Sequence, residues 1–136
     1  MQLVRLEVSA HGNEDWVVFE FEPRSGPSDA PPIFDLKNVS PPFSTDPADE
    51  PMQVDGEEFF QLIFQGASGV EIEGETPRRT YTGPSELKPG GDVVQEVEQQ
   101  GDFEATLSWI IGLSLHSCPS VSQLADPPRL VLRFPR

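Results

Sequence analysis

The sequence predicts an all-β fold, a small β-sandwich of short, mostly antiparallel strands with one long Pro-rich loop. Apolar residues recur with period two in most of the clear hydrophobic segments, which is the spacing of a strand with one buried face. The 136 residues include 15 Pro and 11 Gly, so the chain is interrupted too often for long helices. Many short strands joined by Gly/Pro turns are typical of a sandwich or small barrel. We therefore expect one domain over residues 1–136.

The first two strands are predicted to form a hairpin. The first has an apolar face made of Val4, Leu6, Val8 and Ala10. The second runs from Trp16 to Glu22 and places Val17, Phe19 and Phe21 on one face. The join is short and contains Gly12-Asn13, a pair that favours a tight turn.

Residues 23–51 are predicted to be largely loop. Eight prolines fall in this range, and proline removes backbone donors and cannot continue a central strand. Within it, Ile33, Phe34 and Leu36 form an apolar island that fits a short edge strand. A loop of this length is unusual in a small domain.

The remaining strands follow from the same alternation. We predict a polar linker over residues 76–92, and the Gly101-Asp102 pair is interpreted as a hairpin turn. The predicted strands are residues 58–65, 70–75, 93–99, 103–111, 121–124 and 130–134.

Charge and composition exclude several function classes. Nine Lys and Arg stand against 23 Asp and Glu, for a net charge of −14, which argues against nucleic acid or an anionic membrane surface as partner. No window approaches the ~20 apolar residues of a membrane span. Residues 1–7 show no signal-peptide pattern. The location is thus the cell envelope or secreted if a leader is missing, and cytoplasmic if Met1 is the native start.

No catalytic or metal-binding set stands out, so we predict a protein that is not an enzyme and needs no cofactor. Cys118 as nucleophile and His116 as base would form the best candidate for a catalytic pair. The sequence, however, indicates no third residue that would orient the imidazole. A zinc site adding His11 lacks close paired spacings. A calcium site is suggested by the acidic run Asp46, Asp49, Glu50, Asp55, Glu57 and Glu58, but the run fits no EF-hand loop and is interpreted as solvated surface.

Trp16 is the aromatic residue most relevant to binding. It falls on the polar face of its strand, opposite Val17 and Phe19. Either a second layer or the long loop covers it, or it lies open as a stacking surface. We favour the covered arrangement, because large aromatic side chains usually end up buried.

Five segments stand out in the C-terminal half of the chain: Tyr81-Thr82-Gly83-Pro84, Pro89-Gly90-Gly91, Gly101-Asp102-Phe103-Glu104, Trp109–Leu113 and Asp126–Leu132. Taken in this order, they resemble the AMIN-like domain of actinobacterial secreted proteins and lipoproteins. The N-terminal strand Asp15–Phe21 fits the opening strand of the same family.

The resemblance implies a non-catalytic β-sandwich module of the bacterial cell envelope that binds peptidoglycan or an envelope protein. The alternative is a cytoplasmic adaptor that uses the same sandwich to hold a partner protein, since a long Pro-rich loop can order on a partner. Arg129 is expected to meet Asp126, Glu20 or Glu104. The candidate binding residues are Trp16, Tyr81, Asp102, Asp126 and Arg129.

Overall fold

The computed structural model describes residues 1–23 and 30–136. Residues 24–29, which belong to the predicted Pro-rich loop, lie outside the described residues. The elements in chain order are β1 (Gln2–His11), β2 (Glu14–Glu22), β3 (Phe34–Val39), β4 (Phe43–Ser44), β5 (Pro51–Met52), β6 (Glu58–Gln65), β7 (Val70–Glu73), β8 (Thr76–Arg79), β9 (Glu86–Leu87), β10 (Val94–Phe103), β11 (Thr106–Leu113), β12 (Ser120–Leu124) and β13 (Arg129–Pro135).

Two main sheets face each other, which confirms the all-β sandwich. The four-stranded sheet has the order β1-β2-β13-β12, and the five-stranded sheet has the order β3-β6-β11-β10-β9. Two small ribbons, β4-β5 and β7-β8, complete the described part of the chain. The predicted β1–β2 hairpin is confirmed, and so is the edge strand at Phe34.

The core lies between the inner faces of the two sheets. Phe19 of the four-stranded sheet meets Phe64 and Trp109 of the five-stranded sheet edge to face, with ring centroids 5.3 Å and 5.8 Å apart. All three side chains are fully buried. Edge-to-face packing suits the quadrupoles of aromatic rings, so these contacts add to the burial of their apolar area.

A buried carboxylate joins the sheets at one end of the core. Asp15 lies at the start of β2 and is 3% exposed. Its Oδ2 accepts hydrogen bonds from the backbone N–H groups of Val93 and Val94, at 2.8 Å and 2.9 Å. Gly91 provides the space that this carboxylate needs, because a Cβ at position 91 would lie 2.5 Å from the same oxygen. One side chain of the four-stranded sheet thereby positions the entry to β10.

A second, smaller core forms on the outer face of the five-stranded sheet. Ile110 and Phe59 point away from the main core and pack against Met52, with Val39, Phe43 and Val54 around them. The segment between β3 and β6 crosses this face, and Gly112 permits its close approach because a Cβ there would overlap the Asp55 carbonyl oxygen. Much of the predicted Pro-rich loop is therefore packed on the sheet.

Three sequence predictions are corrected here. The apolar face predicted for β1 is interrupted, because a register shift between Leu3 and Arg5 buries Leu3 and leaves Val4 only half-buried and Ala10 exposed. A bulge of this kind moves side chains to the other face. The predicted polar linker 76–92 contains β8 and β9.

The third correction concerns the turn after β10. Gly101 and Asp102 lie inside β10, and the hairpin turns at Glu104 and Ala105, with φ of 51° and 60°. Two consecutive positive φ values are the requirement of a type I′ turn. Gly101 instead sits where the backbone of Asp46 comes closest, since a Cβ there would overlap the Asp46 carbonyl oxygen.

We predict that Asp15→Ala lowers the free energy of unfolding by about 3 kcal/mol, because two buried backbone donors lose a charged acceptor. Asp15→Asn keeps an acceptor oxygen, so its free energy of unfolding should fall by about half as much. Urea unfolding at neutral pH measures both. The matched control is Asp35→Ala, at an exposed position of β3, where the change should stay within about 0.5 kcal/mol. Equal losses at the two positions would contradict the role of Asp15.

Candidate functional site

The two sheets differ in what their outer faces present. The five-stranded sheet has its outer face under the second core, whereas side chains along the four-stranded sheet reach solvent. Arg5 and Glu7 on β1 have 63% and 53% of their side-chain surface exposed. Accessible aromatic and charged side chains on an uncovered sheet are where a binding protein can recognise a ligand. The outer face of the four-stranded sheet is therefore the candidate site.

We call this surface the tryptophan face. It is formed by alternate residues of β1, β2 and β13, because Val17, Phe19 and Phe21 between them point into the core. Its members are Arg5, Glu7, Ser9, His11, Glu14, Trp16, Val18, Glu20, Glu22, Arg129 and Arg133.

Strand register arranges these side chains in rows across the face. Glu20 pairs with Arg5 on one side and Arg129 on the other. Trp16 pairs with Ser9 on one side and Arg133 on the other. Cross-strand partners of this kind lie about 5 Å apart at Cβ. Arg129 thus faces Glu20, one of the three partners expected from the sequence.

Trp16 lies at the centre of a stack of flat side chains. The His11 ring is parallel to the indole to within 19°, at 3.8 Å between centroids. The Arg133 guanidinium lies 4.6 Å from the indole centroid, in range of a cation–π interaction. These neighbours come from β1 and β13, which flank β2 on opposite sides. The indole Nε1 donates to Glu14 Oε1 at 2.8 Å.

Trp16 is therefore half-buried. Among the residues that the structure describes, the side chains stacked on it, His11 and Arg133, belong to its own sheet. His11 remains exposed, and its Nε2 has a hydrogen bond to Ser9 Oγ at 2.9 Å. One side of the indole is thus covered by a ring that solvent and ligands can reach.

An open groove of about 270 Å³ runs along this face. Trp16, His11, Glu20 and Arg129 are among the side chains that line it. Beside it, the Nε of Arg133 is shielded from solvent and has no hydrogen-bond partner among the described residues. The groove combines an aromatic surface with charged donors and acceptors, the usual composition of a small-ligand site.

The tryptophan face is close to neutral in a strongly acidic protein. Its charged residues are Arg5, Arg129, Arg133, Glu7, Glu14, Glu20 and Glu22, three positive and four negative. The net charge of −14 therefore lies almost entirely on the rest of the chain. An anionic ligand would meet less repulsion here than on the rest of the protein, taken as a whole.

The other predicted binding residues lie elsewhere. Tyr81 is buried against Trp109, its hydroxyl donates to the Pro84 carbonyl at 2.6 Å, and burial raises its pKa. Asp102 is half-buried and its Oδ2 accepts from the Gly69 N–H at 2.9 Å. Asp126 is exposed in the turn before β13, with φ of 54°. Of the five predicted residues, only Trp16 and Arg129 share a surface.

The Cys118–His116 pair has a third neighbour that the sequence did not signal. Cys118 Sγ lies 3.8 Å from His116 Nε2, and His116 Nδ1 lies 2.8 Å from Glu58 Oε2. The order thiol, imidazole, carboxylate is that of a nucleophile with its base and orienting group. However, His116 is 74% exposed, and an ion pair in open solvent is weak.

His11 and Arg133 were not predicted as neighbours of Trp16. The signal for His11 is its place two residues beyond Ser9, on the same face of β1. The signal for Arg133 is its alternation with Leu132 and Phe134 in β13. Both become visible only once the register of β2 with its two neighbours is known.

The comparison with known families gives one match. A sequence model of the AMIN-like domain matches residues 1–134, which confirms the resemblance drawn from the motifs. Neither a curated protein nor a solved structure matches the chain. Among the described residues, no helix is long and apolar enough to cross a membrane.

We predict that Trp16→Phe removes most of the tryptophan emission that acrylamide can quench, because Trp109 is fully buried. Arg133→Ala should increase quenching, because it uncovers one side of the indole. Lys37→Ala, on exposed β3 of the other sheet, is the control and should leave quenching unchanged. Stern–Volmer titration measures all three. If the Trp16→Phe protein is quenched as strongly as the parent, the assignment of Trp16 as the accessible indole is wrong.

Proposed function

This chain belongs to the AMIN-like domain family, whose members are generally non-catalytic binding modules of the cell envelope, and from that premise we propose that it binds the glycan strands of peptidoglycan through the tryptophan face. The single observation that carries the proposal is the half-buried indole of Trp16, stacked with the exposed His11 ring and the Arg133 guanidinium beside an open groove. Family members are usually extracytoplasmic, so the ligand and the protein would share a compartment.

The chemistry of the face suits a sugar polymer with carboxylate groups. Sugar rings present apolar C–H patches that pack on an indole, and their hydroxyl and amide groups need directional partners. Glu7 and Glu20 supply acceptors along the groove. Arg5 and Arg129 supply guanidinium groups, which recognise carboxylates in a planar, two-bond geometry.

The position of His11 defines how the sugar would bind. Its ring covers one side of the indole, is exposed, and has a hydrogen bond to the Ser9 hydroxyl. A glycan ring would replace the imidazole on Trp16, and Arg133 would continue to support the other side. His11 would then act as a cover that the ligand displaces, not as a ligand contact.

We predict that Trp16→Ala weakens binding to purified insoluble peptidoglycan by about tenfold or more, as expected for an aromatic anchor at the centre of a site. Arg129→Ala should weaken it to a smaller extent, and His11→Ala should preserve or strengthen it. The measurement is co-sedimentation over a range of peptidoglycan concentrations, with circular dichroism to check folding.

Phe103→Ala is the matched control, since Phe103 is an aromatic residue 48% exposed on the other sheet. Its affinity should equal that of the parent. Failure of the parent protein to sediment, or an equal loss in Phe103→Ala, would overturn the glycan proposal.

Fractionation of the native cell separates this function from the adaptor alternative. Recovery of the protein with the envelope supports binding to the wall. Recovery in the cytosol with one stoichiometric partner protein contradicts the envelope proposal and favours an adaptor that uses the same sandwich.

A further inference from the structure

Three glutamates converge on the outer face of the five-stranded sheet, away from the tryptophan face. Glu86 of β9 pairs directly with Glu98 of β10, and Glu96 lies two residues before Glu98. One carboxylate oxygen from each residue lies within 4.8 Å of the others. Like charges directly opposite each other destabilise a strand pair, so this arrangement requires a compensating positive charge.

Glu96 is the buried member of the group. Its side chain is 1% exposed, and its Oε1 accepts from the backbone N–H of Asp55 at 2.8 Å. Its other oxygen, Oε2, is shielded from solvent and has no hydrogen-bond partner among the described residues, and the same holds for Oε2 of Glu98. An unpaired buried carboxylate oxygen is costly unless a cation or donor reaches it.

Lys88 neutralises the group only in part. Its Nζ lies 3.3 Å from Glu86 Oε1, 3.4 Å from Asp55 Oδ2 and 4.0 Å from Glu96 Oε1. One ammonium therefore lies near three carboxylates. Burial is the largest cause that raises the pKa of Glu98 to about 7, and the neighbouring Glu96 carboxyl adds to the shift.

We propose that Glu86, Glu96 and Glu98 form a binding site for Ca²⁺, with Lys88 as the resident counter-charge that the ion displaces. Calcium takes six to eight oxygen ligands in flexible geometry, and three carboxylates with two unpartnered buried oxygens provide such a set. Asp55, freed from Lys88, offers a fourth carboxylate. Magnesium suits the group less well, because it demands near-octahedral geometry and retains its waters.

The consequence for the protein is a link between two elements. Asp55 lies in the segment that covers the outer face of the five-stranded sheet, and Glu96 and Glu98 lie in the sheet itself. An ion held by both would fasten the cover to the sheet edge. An ion that binds only the folded state raises the free energy of unfolding, and the gain grows with the logarithm of the ion concentration once the site is saturated.

The experiment is thermal unfolding and titration calorimetry of the full chain at pH 8, with metal removed first. We expect 10 mM CaCl₂ to raise the Tm by about 4 °C, 10 mM MgCl₂ to raise it less, and NaCl of equal ionic strength to leave it unchanged. Calorimetry should give one Ca²⁺ per chain with a Kd on the order of 1 mM or below.

Variants locate the site without removing the bond from Glu96 to the Asp55 backbone. Glu98→Gln should abolish the calcium shift, whereas Glu104→Gln, at an exposed carboxylate in the β10–β11 turn, should keep it. Lys88→Gln should tighten calcium binding several-fold, because the competing ammonium is gone. An unchanged Tm with calcium, a shift matched by NaCl, or equal shifts in Glu98→Gln and the parent would each overturn the proposal.

Discussion

The buried carboxylate of Asp15 is the constraint on which the arrangement of the two sheets depends. It belongs to β2, yet both of its described hydrogen bonds are to backbone amides at the entrance of β10. Apolar packing between the sheets is non-directional, whereas these two bonds specify which residues meet. Position 91 must be glycine, because a side chain there would collide with the Asp15 carboxylate. Asp15 and Gly91 both occur in the segments that carry the family resemblance, which gives those segments a structural reason.

Other residues of the resemblance also serve the fold. Tyr81 bends over Gly83, where a Cβ would lie 2.7 Å from the phenolic oxygen, and bonds the Pro84 carbonyl. Asp102 holds the Gly69 amide across a gap of 33 residues. Polar groups that are buried with specific partners fix position and strand register rather than recognise ligands. This explains why the motifs that identify the family do not predict which residues form the candidate binding site.

The period-two pattern predicted the fold class and half of the site. It placed Trp16 opposite Val17, which is why Trp16 and Arg129 lie on one outward face, and it predicted the Phe34 edge strand. It could not predict the β1 bulge, because the residues around Val4 alternate equally well in either register. The Glu104-Ala105 turn was missed because neither residue is typical of positive φ. The Glu58–His116 contact joins residues 58 positions apart, which only tertiary packing determines.

The difference between the outer faces of the two sheets follows from the path of the segment between β3 and β6. The segment crosses the five-stranded sheet, and its passage requires Gly101 and Gly112 because side chains there would collide with the Asp46 and Asp55 carbonyls. This segment covers the outer face of the five-stranded sheet and buries Glu96 beneath it. The opposite face leaves the His11 ring of its aromatic stack exposed, and its charges nearly balance. A protein with a net charge of −14 thus has one outer face that is nearly neutral and another on which three carboxylates converge.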